Sequence, residues 1–370
     1  MGLKSDVKLL IQKSIRAVGR FFYRKHVWLV SDRDWAAGDN GEAFFRYIQD
    51  KPVYSVFAIS KDSPDYEMMK SVGNVVDHGS LKYKFLLCVA DAHISSHEVH
   101  MAGHKETPQI FLSHGITFRD IHDYYNRMVH DNFHVISTSK IERERLLTPP
   151  FQLKPEQVFV TGYPRYDRLI DSRGDKIITF AFTWRPFMWD VTAEEFVKSD
   201  YYKLYLSVFE NKSLISKILE AGYTIKLKPH PHLDKFRDVI NLPEGITFWD
   251  TDVTYREMYG KSSMFITDYS SALFDFVYLY KPVVYYLYDY DYLMQNYRDE
   301  YEYDYESKGM GDVVRTPAEL EACIGEYLKT DCVMKDKYKE RVDNFFAYHD
   351  RNNCERVYNA VLSVLGLKQE

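Results

Sequence analysis

The chain has 370 residues, 45% of them hydrophobic and 16% aromatic, and a formal net charge of −6. Two domains of ordinary size are the natural expectation, with apolar content enough for two cores, and the acidic balance argues against nucleic acid as a partner. Cys88, Cys323, Cys332 and Cys354 form no CxxC pair, so neither a zinc site nor a disulfide scaffold is indicated. They suit a reducing compartment.

Residues 1–25 read as a basic amphipathic helix. Leu3, Val7, Leu10, Ile11, Ile15, Val18, Phe21 and Phe22 follow helical spacing, and Lys4, Lys8, Lys13, Arg16, Arg20, Arg24 and Lys25 take much of the rest. Such a helix suits an anionic membrane surface; the alternative is a helix packed on its own domain with solvated cations. Met1-Gly2 makes no convincing myristoylation site, because position six is Asp6. No apolar run is long enough to span a bilayer and no signal-peptide core is present, so the expected location is cytoplasmic.

Residues 26–31 (HVWLVS) predict a first strand, residues 34–40 (DWAAGDN) a loop, and residues 42–48 the start of a helix. Residues 53–59 are the next strand, and residues 75–76, 84–89 and 92–94 continue the alternation up to Ser95-Ser96-His97. Strands alternating with helices argue for a parallel, doubly wound sheet. No GxGxxG follows the first strand, so a dinucleotide fingerprint is absent.

Residues 110–112 read as a strand ending in Ser113-His114-Gly115-Ile116-Thr117. Open α/β sheets place ligands at such loops. There His114 can take a proton from an attacking hydroxyl at neutral pH, or simply bond a nearby carbonyl. Residues 135–138 and 158–161 close the first sheet, and residues 162–167 (GYPRYD) follow. Arg165 suits either a phosphate or a structural ion pair. Residues 171–176 (DSRGDK) are polar and form the expected linker.

The second domain opens with a strand at residues 177–182, ending in Thr183-Trp184-Arg185. Residues 204–220 predict a helix, residues 224–227 a strand, and Lys228-Pro229-His230-Pro231-His232 the loop after it. Prolines dominate that spacing and no third ligand is near, so metal binding is not expected. Residues 246–248 are a strand and residues 255–260 a short helix.

Residues 263–289 (SMFITDYSSALFDFVYLYKPVVYYLYD) are the most informative stretch. They read as strand, tight loop, helix and second strand, with Asp268, Ser270 or Ser271 as N-cap. A helix start at the end of a parallel strand also favours an anion. Capping and phosphate binding are both open at this point. Beyond lie a Tyr/Asp/Glu-dense segment, a helix over residues 316–328 with Thr316 and Pro317 at its start, and helices over residues 335–346 and 354–365.

TDYSS with its FDF helix and KPVVYYLYD strand resembles the CDP-glycerol glycerophosphotransferase family, enzymes that prime and polymerise teichoic acids and related capsular polymers. Gly79-Ser80, the His114-Gly115 loop, GYPRYD, Thr183-Trp184-Arg185 and the KPHP loop match in the same order. The chain departs from the family pattern locally: Phe182 replaces a proline, Lys228 an arginine and Asp299 a glycine. Gly309-Met310-Gly311 only loosely represents a Pro-Gly turn, and Asn353-Cys354 replaces small residues before Arg356.

The resemblance implies an α/β, GT-B-like fold, two Rossmann-like doubly wound domains facing a cleft, with boundaries at 26–172 and 173–345 and a C-terminal helix at 346–370. It implies transfer of glycerol phosphate from CDP-glycerol to a hydroxyl of a lipid-linked saccharide or polymer acceptor, with release of CMP. In-line phosphoryl transfer asks the protein mainly to orient reactants and neutralise charge. His114 would be the base and His230 would steady the diphosphate. Arg165, Thr183, Arg185, Lys228, Thr267, Asp268, Ser270, Ser271, Arg298 and Arg356 would hold the donor. No cofactor or protein-bound metal is expected. Alternatives are a CDP-ribitol donor, a nucleotide-sugar glycosyltransferase, or an inactive binder of lipid-linked polymer.

Overall fold

The computed structural model describes residues 13–19, 21–97, 105–116, 121–301 and 303–368. Residues 1–12, Arg20 and Thr117, all drawn on in the sequence reading, lie outside the described residues. The chain divides into two compact units: the first runs to Arg168 and includes Phe345–Glu370, and the second holds Leu169–Asn344.

The first unit carries seven parallel strands: β1 (His26–Ser31), β2 (Val53–Ile59), β3 (Val75–Asp77), β4 (Ala92–Ser95), β5 (Gln109–Phe111), β6 (Phe133–Ser137) and β7 (Val158–Val160). Their spatial order is β3-β2-β1-β4-β5-β6-β7, so the order reverses between β1 and β4. The central strands β4 and β5 are buried along their whole length, as burial between two helical layers demands. The helix Asn353–Val364 returns to this unit. Its first N–H groups, from Asn353 and Cys354, donate to the Asp167 carboxylate at 2.9 and 2.7 Å. Gly162, at φ +77°, leaves room for the Asn353 side chain there.

The second unit repeats the plan with six parallel strands: β8 (Ile177–Ala181), β9 (Thr224–Leu227), β10 (Ile246–Phe248), β11 (Ser262–Thr267), β12 (Val283–Tyr286) and β13 (Asp312–Val314). The order β10-β9-β8-β11-β12-β13 puts the reversal between β8 and β11. Both units are therefore Rossmann-like, the α/β class expected.

Local differences have physical causes. The helix expected over residues 204–220 is two helices, Asp200–Ser207 and Lys212–Glu220. Asn211 breaks the run, because its side chain accepts from the Leu214 N–H and caps the second helix. β13, too short to show a periodicity, was not foreseen. Lys281, just before β12, is fully buried, donates to the carbonyls of Tyr259, Gly260 and Ser262, and pairs with Asp171 at 2.9 Å.

At the N-terminus, residues 13–19 are helical and take a mixed role. Ile15 and Tyr23 pack on the core between β1, β2 and the helix Leu81–Val89. Val18, Phe21 and Phe22 stay exposed, Phe21 at 88%.

Candidate functional site

In the second unit the expected donor-binding residues gather at the C-terminal ends of β8, β9 and β11. This is the side of the sheet, and the reversal point, where open α/β sheets hold ligands. Thr183 follows β8, and its N–H donates to the Asp268 carboxylate at 2.8 Å. That bond ties the loop after β8 to the TDYSS loop after β11. The Thr183 hydroxyl is buried and has no hydrogen-bond partner. Lys228, at the end of β9, is only 7% exposed. No acceptor or acid pairs with its ammonium among the described residues. The Tyr255 ring, 5.6 Å away, is its nearest aromatic face. Burial lowers its pKa, with Arg237 adding to the shift and Asp234 and Asp252 opposing it. A buried cation and an orphaned hydroxyl are each costly in an apolar interior.

His230 caps the 3-10 stretch Pro231–Val239, its Nδ1 accepting from the His232 N–H at 3.3 Å. Its half-buried ring lies 6.0 Å from Trp184 and 5.2 Å from His232. Trp189, half exposed, extends this aromatic group at 4.5 Å from His232.

Arg185 occupies a different position from the one a ligand contact requires. Its side chain is 0% exposed. Nε donates to Asp289 at 2.8 Å, Nη2 to Asp268 at 2.9 Å, and Nη1 to the Thr183 carbonyl at 2.7 Å. Tyr201, Tyr269, Tyr288 and Tyr301 surround the guanidinium, the nearest ring centroid at 5.2 Å. Burial opposes the charge, but Tyr288, Asp268 and Asp289 outweigh it and hold the arginine cationic. Arg185 and Asp268 thus form a buried knot that shapes the loops around Thr183. Breaking one member of such a pair costs about 3–5 kcal/mol.

The TDYSS loop also differs locally from expectation. The helix is only Leu273–Val277, its N-cap is Ala272, and no side chain caps it. Asp268 is drawn into the arginine knot instead. Thr267 is buried, its hydroxyl donating to the Ala181 carbonyl at 2.7 Å. Ser270 accepts from the Ala272 N–H at 3.2 Å, and Ser271 is exposed.

In the first unit, His114 sits in the loop after β5. Its neighbour Ser113 has φ +54°, and the buried Asn40 amide donates to the carbonyls of Leu112 and Ser113 at 3.1 and 2.9 Å. The His97 ring, from the loop after β4, stacks on His114 at 5.2 Å. Crowding by protein, then His97, Arg33 and Arg165, hold the His114 pKa below the ordinary histidine value. The residue is nonetheless partly open to water. The neutral ring, the form able to accept a proton, is favoured.

Arg165 resolves toward the ion pair: Nη1 bonds Asp39 at 2.7 Å and the His114 carbonyl at 3.2 Å, while the guanidinium covers Tyr163 and Tyr166. Arg356 lies in the first unit with its guanidinium on Asp350, the Thr161 carbonyl and Asn353. Arg298 is exposed at the start of the helix Arg298–Tyr301. Asn40 and His97 were given no role on sequence grounds. A buried polar side chain carries no local pattern, and only its partners disclose it. Among the described residues no group of three or more His, Cys, Asp or Glu is placed to hold a metal ion. No described helix is long and apolar enough to cross a membrane.

Known proteins align with this arrangement. The chain is 32% identical to the minor teichoic acid biosynthesis protein GgaB of Bacillus subtilis over 96% of its own length and 42% of that protein's. It is 26% identical to a teichoic acid glycerol-phosphate transferase of Staphylococcus aureus, over 51% of each chain. It therefore spans about half the length, or less, of these curated relatives. The fold is shared with the wall teichoic acid polymerase TagF at a TM-score of 0.72, 17% identity and 99% coverage of both chains. The family model for CDP-glycerol:poly(glycerophosphate) glycerophosphotransferase matches from residue 13 to residue 363, nearly the whole chain and both parallel sheets, and to that family this chain belongs.

Proposed function

We propose that the protein transfers glycerol phosphate from CDP-glycerol to an acceptor hydroxyl in the synthesis of a teichoic acid or capsule-type polymer, releasing CMP. The observation that carries this reading is the buried, unpartnered Lys228 ammonium at the end of β9, together with the orphaned Thr183 hydroxyl in the loop after the adjoining strand β8. In this reading Lys228 supplies a cation and Thr183 a donor for a diphosphate, with His230 and the exposed Ser271 as further donors. Arg185 and Asp268 serve by holding the loops rather than by touching the donor.

In the reaction the acceptor oxygen attacks the phosphorus that bears glycerol. The bond to the bridging diphosphate oxygen breaks, CMP leaves, and the hydroxyl proton passes to the neutral imidazole of His114. Lys228 and His230 neutralise charge developing on the leaving phosphate.

The acceptor is a lipid-linked saccharide or polymer, and the protein meets it at the inner face of the cell membrane. Val18, Phe21, Phe22 and Leu81 form an exposed apolar group at the N-terminal helix and the helix Leu81–Val89, flanked by the exposed Lys82 and Lys84. Apolar insertion with a basic rim suits an anionic bilayer surface.

The test is incubation of the purified protein with an acceptor preparation and a panel of CDP-glycerol, CDP-ribitol and UDP-sugars, measuring CMP or UDP. Release of CMP from CDP-glycerol alone is expected. UDP release, or no release from any donor, would overturn the proposal.

A further inference from the structure

We propose that Asn40 is a positioning residue for His114, the part of the first unit that sets where the base stands; this rests on reading His114 as the base. Asn40 is fully buried. Its side chain ties the start of its own helix to two segments far away in sequence. Nδ2 donates to the carbonyls of Leu112 and Ser113, the two peptides before His114, at 3.1 and 2.9 Å. Oδ1 accepts from the Arg165 N–H at 3.1 Å.

These bonds hold an unfavourable backbone. Ser113 is an L-residue at φ +54°, a conformation that persists only where its surroundings determine it. Two successive carbonyls turned onto one amide make that kink, and the kink aims the next side chain, which is His114. Arg165 closes the arrangement from the other side, its Nη1 bridging Asp39 and the His114 carbonyl.

Asn40 is itself held rigidly. It opens the helix Asn40–Tyr47, and the buried Asp32 carboxylate accepts from the N–H groups of Asp39, Gly41 and Glu42 at 3.0, 2.7 and 3.0 Å. Ser96 donates to the same carboxylate. A Cβ on Gly41 would collide with the Ser31 carbonyl and with Asp32, so glycine permits this approach.

Only a short primary amide suits the position. Aspartate would set an acceptor against two carbonyls, an aliphatic side chain would leave both carbonyls unpaired, and glutamine would overreach by a methylene.

The experiment compares the full chain with Asn40→Asp and Asn40→Ser. Turnover in Asn40→Asp should fall on the order of 10²-fold, the effect of a small misplacement of a reacting group. The dissociation constant for CDP-glycerol, measured by calorimetry, should stay within about two-fold, because the donor is held by the other unit. In 13C-histidine-labelled protein the His114 resonance, assigned by its loss in His114→Ala, should shift. Asn40→Ser, which keeps one donor without a charge, should fall between Asn40→Asp and the wild type.

A folded Asn40→Asp protein with wild-type turnover and an unshifted His114 resonance overturns the proposal. So does a loss of donor affinity in proportion to turnover, or the failure of both variants to melt cooperatively, since either makes Asn40 a general support of the fold. If His114→Ala keeps full transfer, the reading of His114 as base fails, while the resonance still reports separately whether Asn40 positions that ring.

Discussion

The two units share one strand order yet fill their reversal points in opposite ways. In the first, the helix start after β1 is closed by the protein's own carboxyl group: Asp32 accepts from Gly41 and Glu42 at 2.7 and 3.0 Å. Burial, and then the charge of Asp39, push the Asp32 pKa up to about 7, while Ser96 and the backbone N–H groups oppose the rise. A helix N-terminus so occupied has nothing to offer a phosphate. In the second unit the matching position holds an orphaned Thr183 hydroxyl, with the unpaired Lys228 ammonium at the end of the adjoining strand. Topology marks where ligands can bind, but the side chains at the strand ends decide whether an anion is invited or an acceptor is already supplied. The two candidate histidines also differ in their surroundings: crowding by protein, and then His97, Arg33 and Arg165, favour the neutral ring of His114, while His230 caps the stretch Pro231–Val239 next to Trp184 and His232.

The sharpest break of this comparison is His114→Ala. Transfer should fall by roughly 10²–10⁴-fold, the usual contribution of a positioned base. Calorimetry should find CDP-glycerol binding nearly unchanged. Parallel losses of donor affinity and turnover would erase the division of labour between the units.

Next in size is Lys228→Met. Donor binding should weaken by about 1.5–3 kcal/mol, the worth of a hydrogen bond to a charged group. The ligand-free protein should melt at a higher temperature than wild type, because an unpaired buried cation is removed. Unchanged affinity with a lower melting temperature would make Lys228 structural. Thr183→Val, near-isosteric, should weaken the donor less and leave the melting temperature in place, since its hydroxyl has no partner to lose.

A smaller effect should appear in the pH profile. Because the folded protein holds the His114 pKa below the ordinary value, its proton is already off at pH 6.5. Turnover attributed to the base should stay level from pH 8 through pH 6.5 and decline only on further acidification. A half-maximal point at or above the ordinary histidine value would show that the crowding and the cations around His114 do not govern it.

The smallest concerns the surface. Phe21→Ser with Phe22→Ser should reduce flotation with anionic vesicles while leaving the melting temperature unchanged, as both rings are exposed. High salt should weaken the residual binding, since it screens only the electrostatic contribution. Equal flotation of variant and wild type would remove this group from the membrane-facing surface.

By itself the sequence determined the class of fold and the strand ends where the candidate residues stand. The alternation of apolar strands with amphipathic helices was legible because strand and helix periods differ, and the loops TDYSS, KPHP and His114-Gly115 could be placed at strand ends from the adjoining patterns. The order of the strands, and hence which loops share a reversal point, came only from the tertiary structure, because pairing is decided by packing between distant segments. The same is true of the arginines. Arg185, Arg165 and Arg356 read alike as candidates for phosphate, yet each is engaged by carboxylates and carbonyls of its own unit. Lys228 is left unpaired, and nothing in the residues around it in sequence distinguishes it. Asn40 is the extreme case, a residue read as the end of a loop that instead opens a helix, and whose three partners lie 72, 73 and 125 positions away. A charge or an amide acquires its role from what surrounds it after folding, and local sequence records the group but not the company it keeps.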